Sequence, residues 1–410
     1  MARKKKQDEE MEEKTCSFCG KSSTEVNEIV VSDSGIAICS ECVKLCQDII
    51  DSSGSDEGEM ITSIKDIKKP AEIKQLLDEY IISQDEAKRK VAVAVYNHYK
   101  RVLFNSSLKG KDIPIEKSNI LMIGQTGVGK TAIWKVIAKM MKVPLVIADS
   151  TAITSAGYVG LDVSSVLVQA FKDADYDLEL AEKSIIIFDE ADKLARKSGE
   201  TASGTKDVSG EAVQQGLLKM IEGTTMEIAP DGKRSPQAET ITIDTSNILF
   251  VFNGSFEGIE KIIQERMNKS EIGFGKNTKD YTKDEYFSNV LPQDLIKFGL
   301  LPELVGRSPV IVTLNELTEE HLVKILTEPK DAIVTQYKEL FNVDGVKLSI
   351  TNDALKEIAK LSINRKTSAR GLRAIMESML NDIMFEYPQK KNLKEIVITK
   401  EVVEGMKLRK

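Results

Sequence analysis

The sequence predicts an α/β protein built on a parallel sheet flanked by helices, preceded by a four-cysteine module and followed by a smaller, mainly helical C-terminal domain. Three observations carry this expectation. An apolar run, Asn119 to Ile123, passes through a glycine-rich turn into a helical pattern, as a buried parallel strand feeding a helix does. A second run, Ser184 to Lys193, sets four apolar residues before paired acids. All five cysteines fall between positions 16 and 46. The chain has 410 residues, enough for at least two folded units, and its 41% hydrophobic and 30% charged residues are the balance of a soluble globular chain. No run of eighteen apolar residues exists, which excludes a membrane-spanning helix and a membrane role. Fifty-seven basic against 64 acidic residues, a net charge of -7, disfavours a nucleic-acid coat. His98 and His321 are too few and too far apart for a histidine-based triad.

Residues 1–14 open with basic residues and turn acidic without an apolar stretch, so they read as a disordered tail of a cytoplasmic protein. In residues 15–47, Cys16 and Cys19 form one C-x2-C pair and Cys39 and Cys42 another. Each such turn aims two thiolates at one ion, and the strand-like runs Glu28 to Val31 and Ile36 to Ile38 fold the intervening chain back as a hairpin; this is structural Zn2+ spacing. Cys46, four residues after Cys42, is expected to face the core. The acidic character of the module argues against phosphate binding. Residues 48–63, rich in Ser, Gly, Asp and Glu, are expected to be a flexible linker.

Residues 64–313 are expected to form the large domain. The turn Gly124, Gln125, Thr126, Gly127, Val128, Gly129, Lys130, Thr131 matches G-x4-G-K-[ST], in which backbone N–H groups curl around phosphate oxygens at a helix start that runs on through Ala132. Lys130 should reach the β- and γ-phosphates of ATP and the Thr131 hydroxyl should sit on Mg2+. Asp189, ending a buried strand, is expected to complete the magnesium shell, and Glu190 to deprotonate the attacking water. A third apolar strand, Asn247 to Phe256, is read as ending at Asn253, which either contacts the γ-phosphate or its water or caps the strand. From Thr318 the pattern is mainly helical, giving a small domain over 314–410 with strand-like VKLSIT and EIVIT segments.

Taken together, these residues resemble the AAA+ ATPases, and within them the ClpX family of bacterial protein unfoldases. The resemblance runs nearly collinear from the four-cysteine module through DVSGEAVQQGLLKMIEGT (Asp207 to Thr224), IGFG (Ile272 to Gly275), DLIKFGLLPELVGR (Asp294 to Arg307) and KTSARGLR (Lys366 to Arg373). It implies a homo-hexameric ring that pulls tagged or unfolded proteins through a central pore, feeds them to the ClpP peptidase and meets adaptor proteins through the zinc module. Arg307, which spacing alone would leave a surface charge, becomes the arginine finger for the neighbouring nucleotide, and Arg370 the sensor-2 arginine. Ile82, in IISQ, falls beside the adenine. Tyr158 and Val159, between Gly157 and Gly160, become the pore pair that grips substrate by apolar contact; without the family, a packed tyrosine in a turn is the simpler reading. Ile272, Gly273 and Phe274, apolar in a polar stretch, become the peptidase-docking tripeptide, against the alternative of a loop tucked into its own domain. The chain departs from the family pattern at Gln125, Trp134, Ser83, Leu161, Asn253 and the Lys233-Arg234-Ser235 segment.

Overall fold

The computed structural model describes residues 15–24, 26, 28–32, 35–53, 67–107, 113–154, 161–195, 210–230, 240–270, 281–390 and 393–408. Residues Met1–Met60 and Ile61–Lys410 form two separate units. In the first, strands β1 (Ile29–Val31) and β2 (Ala37–Cys39) pair antiparallel and lead into helix α1 (Ser40–Ser53). The helix continues to Ser53, into the segment expected to be linker from residue 48. Each residue added to a formed helix gains a backbone bond, so a change of composition does not by itself end it.

The second unit opens with α2 (Pro70–Asp78), whose proline stands in the first turn where no N–H is needed, and α3 (Asp85–Ser106). The strands that follow are short and apolar: β3 (Ile120–Ile123), β4 (Leu145–Asp149), β5 (Ile185–Asp189), β6 (Leu249–Gly254) and β7 (Val310–Thr313). They form one parallel sheet in the order β7-β3-β6-β5-β4. Alternate residues feed opposite layers. Leu121, Ile123, Ile186, Phe188, Phe250 and Phe252 pack on one face, and Ile120, Met122, Ile185, Ile187, Leu249 and Val251 on the other. The second face is covered by α3 and by α4 (Lys130–Met141), whose buried Ile133, Trp134, Ile137, Ala138 and Met141 follow the helical period. The first face receives α5 (Ser165–Asp173) and α6 (Gly210–Glu222).

Both histidines have ordinary partners. His98 Nε2 donates to the Asn247 carbonyl at 3.0 Å, beside Arg101 on Ser246 O (2.8 Å) and Lys117 on Thr245 O (2.7 Å). Three successive carbonyls just before β6 are thus held from α3 and the segment before β3, at the amino end of the strands, opposite the glycine-rich turn. His321 lies in the first turn of a C-terminal helix, where its Nδ1 accepts from the Thr318 N–H.

After β7 a third core forms from α8 (Glu319–Thr327), α9 (Ile333–Val343), α10 (Asn352–Asn364), α11 (Ser368–Glu386) and α12 (Lys400–Leu408). The VKLSIT and EIVIT segments become β8 (Lys347–Ile350) and β9 (Glu395–Ile398), which pair parallel. Among the described residues no helix is long and apolar enough to cross a membrane.

Candidate functional site

The glycine-rich turn leaves the carboxyl end of β3, the strand flanked by β7 and β6 at the point where the order of connections reverses; ligands of open parallel sheets bind there. Gly127 and Gly129 adopt φ +84 and +103, which side chains disfavour, and Gly129 immediately precedes α4. A Cβ on Gly127 would stand 2.7 Å from the Thr367 carbonyl. The Lys130 ammonium turns back onto the carbonyls of Gly124 and of Gln125 (2.9 Å). Burial lowers its affinity for a proton, opposed by the carboxylates of Asp189 and Asp192. A buried ammonium facing two acids and held only by loop carbonyls is a donor set matched to a polyphosphate, and the turn's backbone fits the same group.

Asp189 ends β5 in register with Asp149 of β4, and its Oδ1 accepts the Glu190 N–H at 3.1 Å. Glu190 is exposed with left-handed backbone, φ 55, a strained conformation for a side-chain-bearing residue. The next acid, Asp192, was not singled out from the sequence. It is buried, accepts from Ser255 N (3.1 Å) and Oγ (3.0 Å), and so stitches the turn after β5 to the end of β6. Its signal was its place two residues after Glu190 in DEADK. Gly254 must be glycine here, since a Cβ would meet Asp192 Oδ1 at 2.7 Å.

Asn253 does not end its strand: β6 runs to Gly254, and Asn253 lies inside it, fully buried on the α4 face, with neither amide atom partnered. The strand-cap alternative is therefore excluded. The strand continues because Gly254 still pairs with Ile123 of β3.

Ile82 is half-buried in a turn after α2, followed by Ser83 and Gln84 at φ 61 and 62. Gln84 stitches this turn to the segment after β7, donating to Asn315 O (2.8 Å) and accepting from Asn315 N (2.9 Å). Ser83, one of the expected departures from the family pattern, has a left-handed backbone of the kind that favours glycine. Relief of about 1–2 kcal/mol of steric cost outweighs glycine's entropy of about 0.5–1 kcal/mol. Ser83→Gly should therefore stabilise the second unit by up to about 1 kcal/mol, read as a raised urea midpoint with unchanged slope.

The exposed Arg370 lies in the first turn of α11, beside Ala369, whose N–H donates to the Gly127 carbonyl at 3.2 Å. Arg307 lies elsewhere. It caps the short helix α7 (Pro302–Gly306) at the amino end of the sheet, with Nε 3.3 Å from Glu222 Oε1. Tyr158, Val159, Ile272, Gly273, Phe274, Asp207 to Ser209 and Lys233 to Ser235 lie outside the described residues.

In the first unit the sulfurs of Cys16, Cys19, Cys39 and Cys42 all lie within 4.8 Å of one another, with Cys19 and Cys39 at 3.7 Å. Four thiolates about 2.3 Å from one ion stand this far apart, so the set fits tetrahedral zinc. Burial opposes the Cys16 thiolate, but backbone N–H groups of Cys19, Cys39 and Phe18 outweigh it and bring the thiol down to about 6. Cys46 is half-buried and outside this cluster.

Comparison with known proteins agrees with this geometry. The ClpX C4-type zinc finger profile matches residues 14–52, the AAA domain (Cdc48 subfamily) residues 115–311, and the C-terminal, D2-small domain, of ClpB protein residues 317–401. The ATP-dependent Clp protease ATP-binding subunit ClpX of Treponema denticola is 47% identical over 392 residues, covering 95% of this chain and 93% of the relative. With its zinc finger, its AAA domain and this likeness along nearly its whole length, the chain belongs to the ClpX family of AAA+ ATPases.

Proposed function

We propose that this chain hydrolyses ATP as a homo-hexameric ring, unfolds tagged or unfolded proteins through a central pore and delivers them to the ClpP peptidase in the cytoplasm. One observation carries the ring. Arg307 adjoins Asn119 at the amino end of β3, while the glycine-rich turn leaves the carboxyl end at Gly124. Five strand steps of ~3.3 Å separate the two positions by about 16 Å, beyond an arginine's reach. As a finger, Arg307 therefore serves a second subunit's nucleotide.

Within a subunit, the N–H groups of Gly127 to Thr131 cradle the phosphates and Lys130 leaves its loop carbonyls for the β- and γ-oxygens. Thr131 and Asp189 would hold Mg2+, which neutralises charge on the transferring phosphate. Glu190 takes the proton of the attacking water. The large domain, 64–313, and the small domain, 314–410, meet where Ala369 contacts Gly127, so Arg370 can report phosphate loss as a change in their angle. Ile82 lies beside the adenine. Tyr158 and Val159 grip the substrate, Ile272-Gly273-Phe274 docks the peptidase, and the zinc module receives adaptors.

The test is ATPase rate with an unfolded protein and with single-stranded DNA: protein should stimulate it, and stimulation by DNA alone would favour a nucleic-acid motor. Tyr158→Ala should keep ATP consumption while unfolding of a stable tagged substrate collapses. Phe274→Ala should abolish ClpP association and degradation while sparing ATPase and unfolding, because avidity across the ring multiplies the loss of each anchor. A Phe274→Ala ring that still degrades substrate would remove the docking assignment.

A further inference from the structure

Arg307 is tied to the carboxyl end of α6 twice, directly by its side chain and through Asn119 by its main chain. Its carbonyl accepts two hydrogen bonds from Asn119, one from the backbone N–H (3.3 Å) and one from Nδ2 (2.8 Å). Asn119 Nδ2 also donates to the carbonyl of Ile221 at 3.2 Å, one residue before the end of α6. Glu222, the last residue of α6, accepts from Arg307 Nε at 3.3 Å. Both contacts of the Asn119 amide are carbonyl oxygens, so the NH2 must face them, and its Oδ1 is left buried without a partner. An orphaned acceptor costs stability, which an apolar residue of similar size would avoid. Packing alone does not account for asparagine at this position. Joining the last turn of α6 to the backbone of Arg307 does.

The other end of α6 is tied to the turn that follows Glu190. Gln214, fully buried, donates to Leu194 O at 2.7 Å and accepts from Leu301 N at 2.8 Å. Leu194 ends the 3-10 turn that begins beside Glu190, and Leu301 is the residue on which α7 starts. Gly210, the first residue of α6, packs so closely on Leu194 that a Cβ would stand 2.7 Å from its carbonyl. Helices α6 and α7 are thus fastened together at both ends, by Gln214 at the start of α7 and by Asn119 and Glu222 at its finish. Their 13-residue longer member spans about 20 Å, from the acidic turn of one nucleotide site to the arginine offered to another.

We propose that Asn119, Gln214 and Glu222 are positioning residues for Arg307, making α6 and α7 a rigid arm that sets the finger according to the turn after Glu190 in its own subunit. This deepens the reading of Arg307 as a finger acting between subunits and rests on it. The guanidinium is fixed through Nε alone, which leaves Nη1 and Nη2 free, among the described residues, to meet a phosphate. A small displacement of that fork is enough to lose most of its effect on the transferring group.

The experiment uses mixed rings of the full-length chain. Subunits carrying Glu190→Gln retain the finger but not the base, and subunits carrying Arg307→Ala retain the base but not the finger; neither ring alone should turn over ATP. Mixed, they should recover activity wherever an intact finger faces an intact base. Adding Asn119→Leu to the Glu190→Gln subunit should lower the recovered rate at saturating ATP about tenfold, with nucleotide affinity of that subunit unchanged. Adding Glu222→Ala should lower it about fivefold, whereas Glu222→Gln, whose amide oxygen still accepts from Nε, should restore it. Glu222 is half-exposed, so this pair stays informative even if the buried Asn119 variant fails to fold. No recovery on mixing the two parent subunits would overturn the finger itself. Recovery that is indifferent to Asn119→Leu and to Glu222→Ala would overturn the arm while leaving the finger standing.

Discussion

Replacing Glu190 by glutamine is expected to reduce ATP turnover by about 10²–10⁴-fold while nucleotide remains bound. The amide keeps the shape and the acceptor oxygen of the carboxylate but cannot take a proton from water. The backbone is the second reason that this residue has a large effect. Glu190 is held at φ 55 between Asp189, whose carboxylate takes its N–H, and Lys193, whose N–H donates to its carbonyl at 2.9 Å. That backbone fixes where the side chain starts, and the glutamine starts from the same place. Single-turnover hydrolysis and equilibrium binding of a nucleotide separate the two quantities. Near-normal turnover in Glu190→Gln would show that another group is the base. Lys130→Ala supplies the contrast: it should weaken binding itself, because the ammonium is the buried cation of the glycine-rich turn.

Removing zinc is expected to unfold residues 15–47 while the ATPase unit stays folded and active. Among the described residues, the buried apolar set of the first unit is Val26 and Ala37 with three of the four cysteines, joined by partly buried Ile29 and Ile38. So small a core cannot offset the entropy of ordering the module, and the metal supplies the difference, on the order of 10–16 kcal/mol for structural zinc. Each unit is compact by itself, and the loss is not expected to propagate. Chelator titration followed by amide signals of the module and by ATPase rate would decide this. One concerted transition taking both signals together would contradict the independence of the two units.

The parts of the fold legible in the sequence are those written locally. Two C-x2-C turns around a hairpin, a glycine-rich turn between strand and helix, and four apolar residues ending in Asp189 and Glu190 each require neighbours only a few residues away, and the structure has each of them. The segment expected to be linker from residue 48 begins inside α1, because helix propagation does not stop at a change of composition. Asn253 was misplaced because its burial depends on β3 pairing one residue further along β6, a contact between residues more than a hundred positions apart. Asp192, marked only by its place in DEADK, and Gln214 take their roles from partners in other elements, Ser255, Leu194 and Leu301, which no local pattern shows.

By itself the sequence determined the chemistry of this protein: a four-thiolate zinc finger, a phosphate-binding turn and an acidic strand end, because residue type and short-range spacing are enough to specify metal ligands and a helix N-terminus. Only the tertiary structure decided where Arg307 stands. Strand order puts it at the amino end of β7 beside Asn119, at the opposite end of the strands from its own glycine-rich turn, and the proposed role between subunits rests on that separation. A linear pattern cannot carry this, since parallel strands far apart in sequence are brought into register by hydrogen bonds that no local signal encodes.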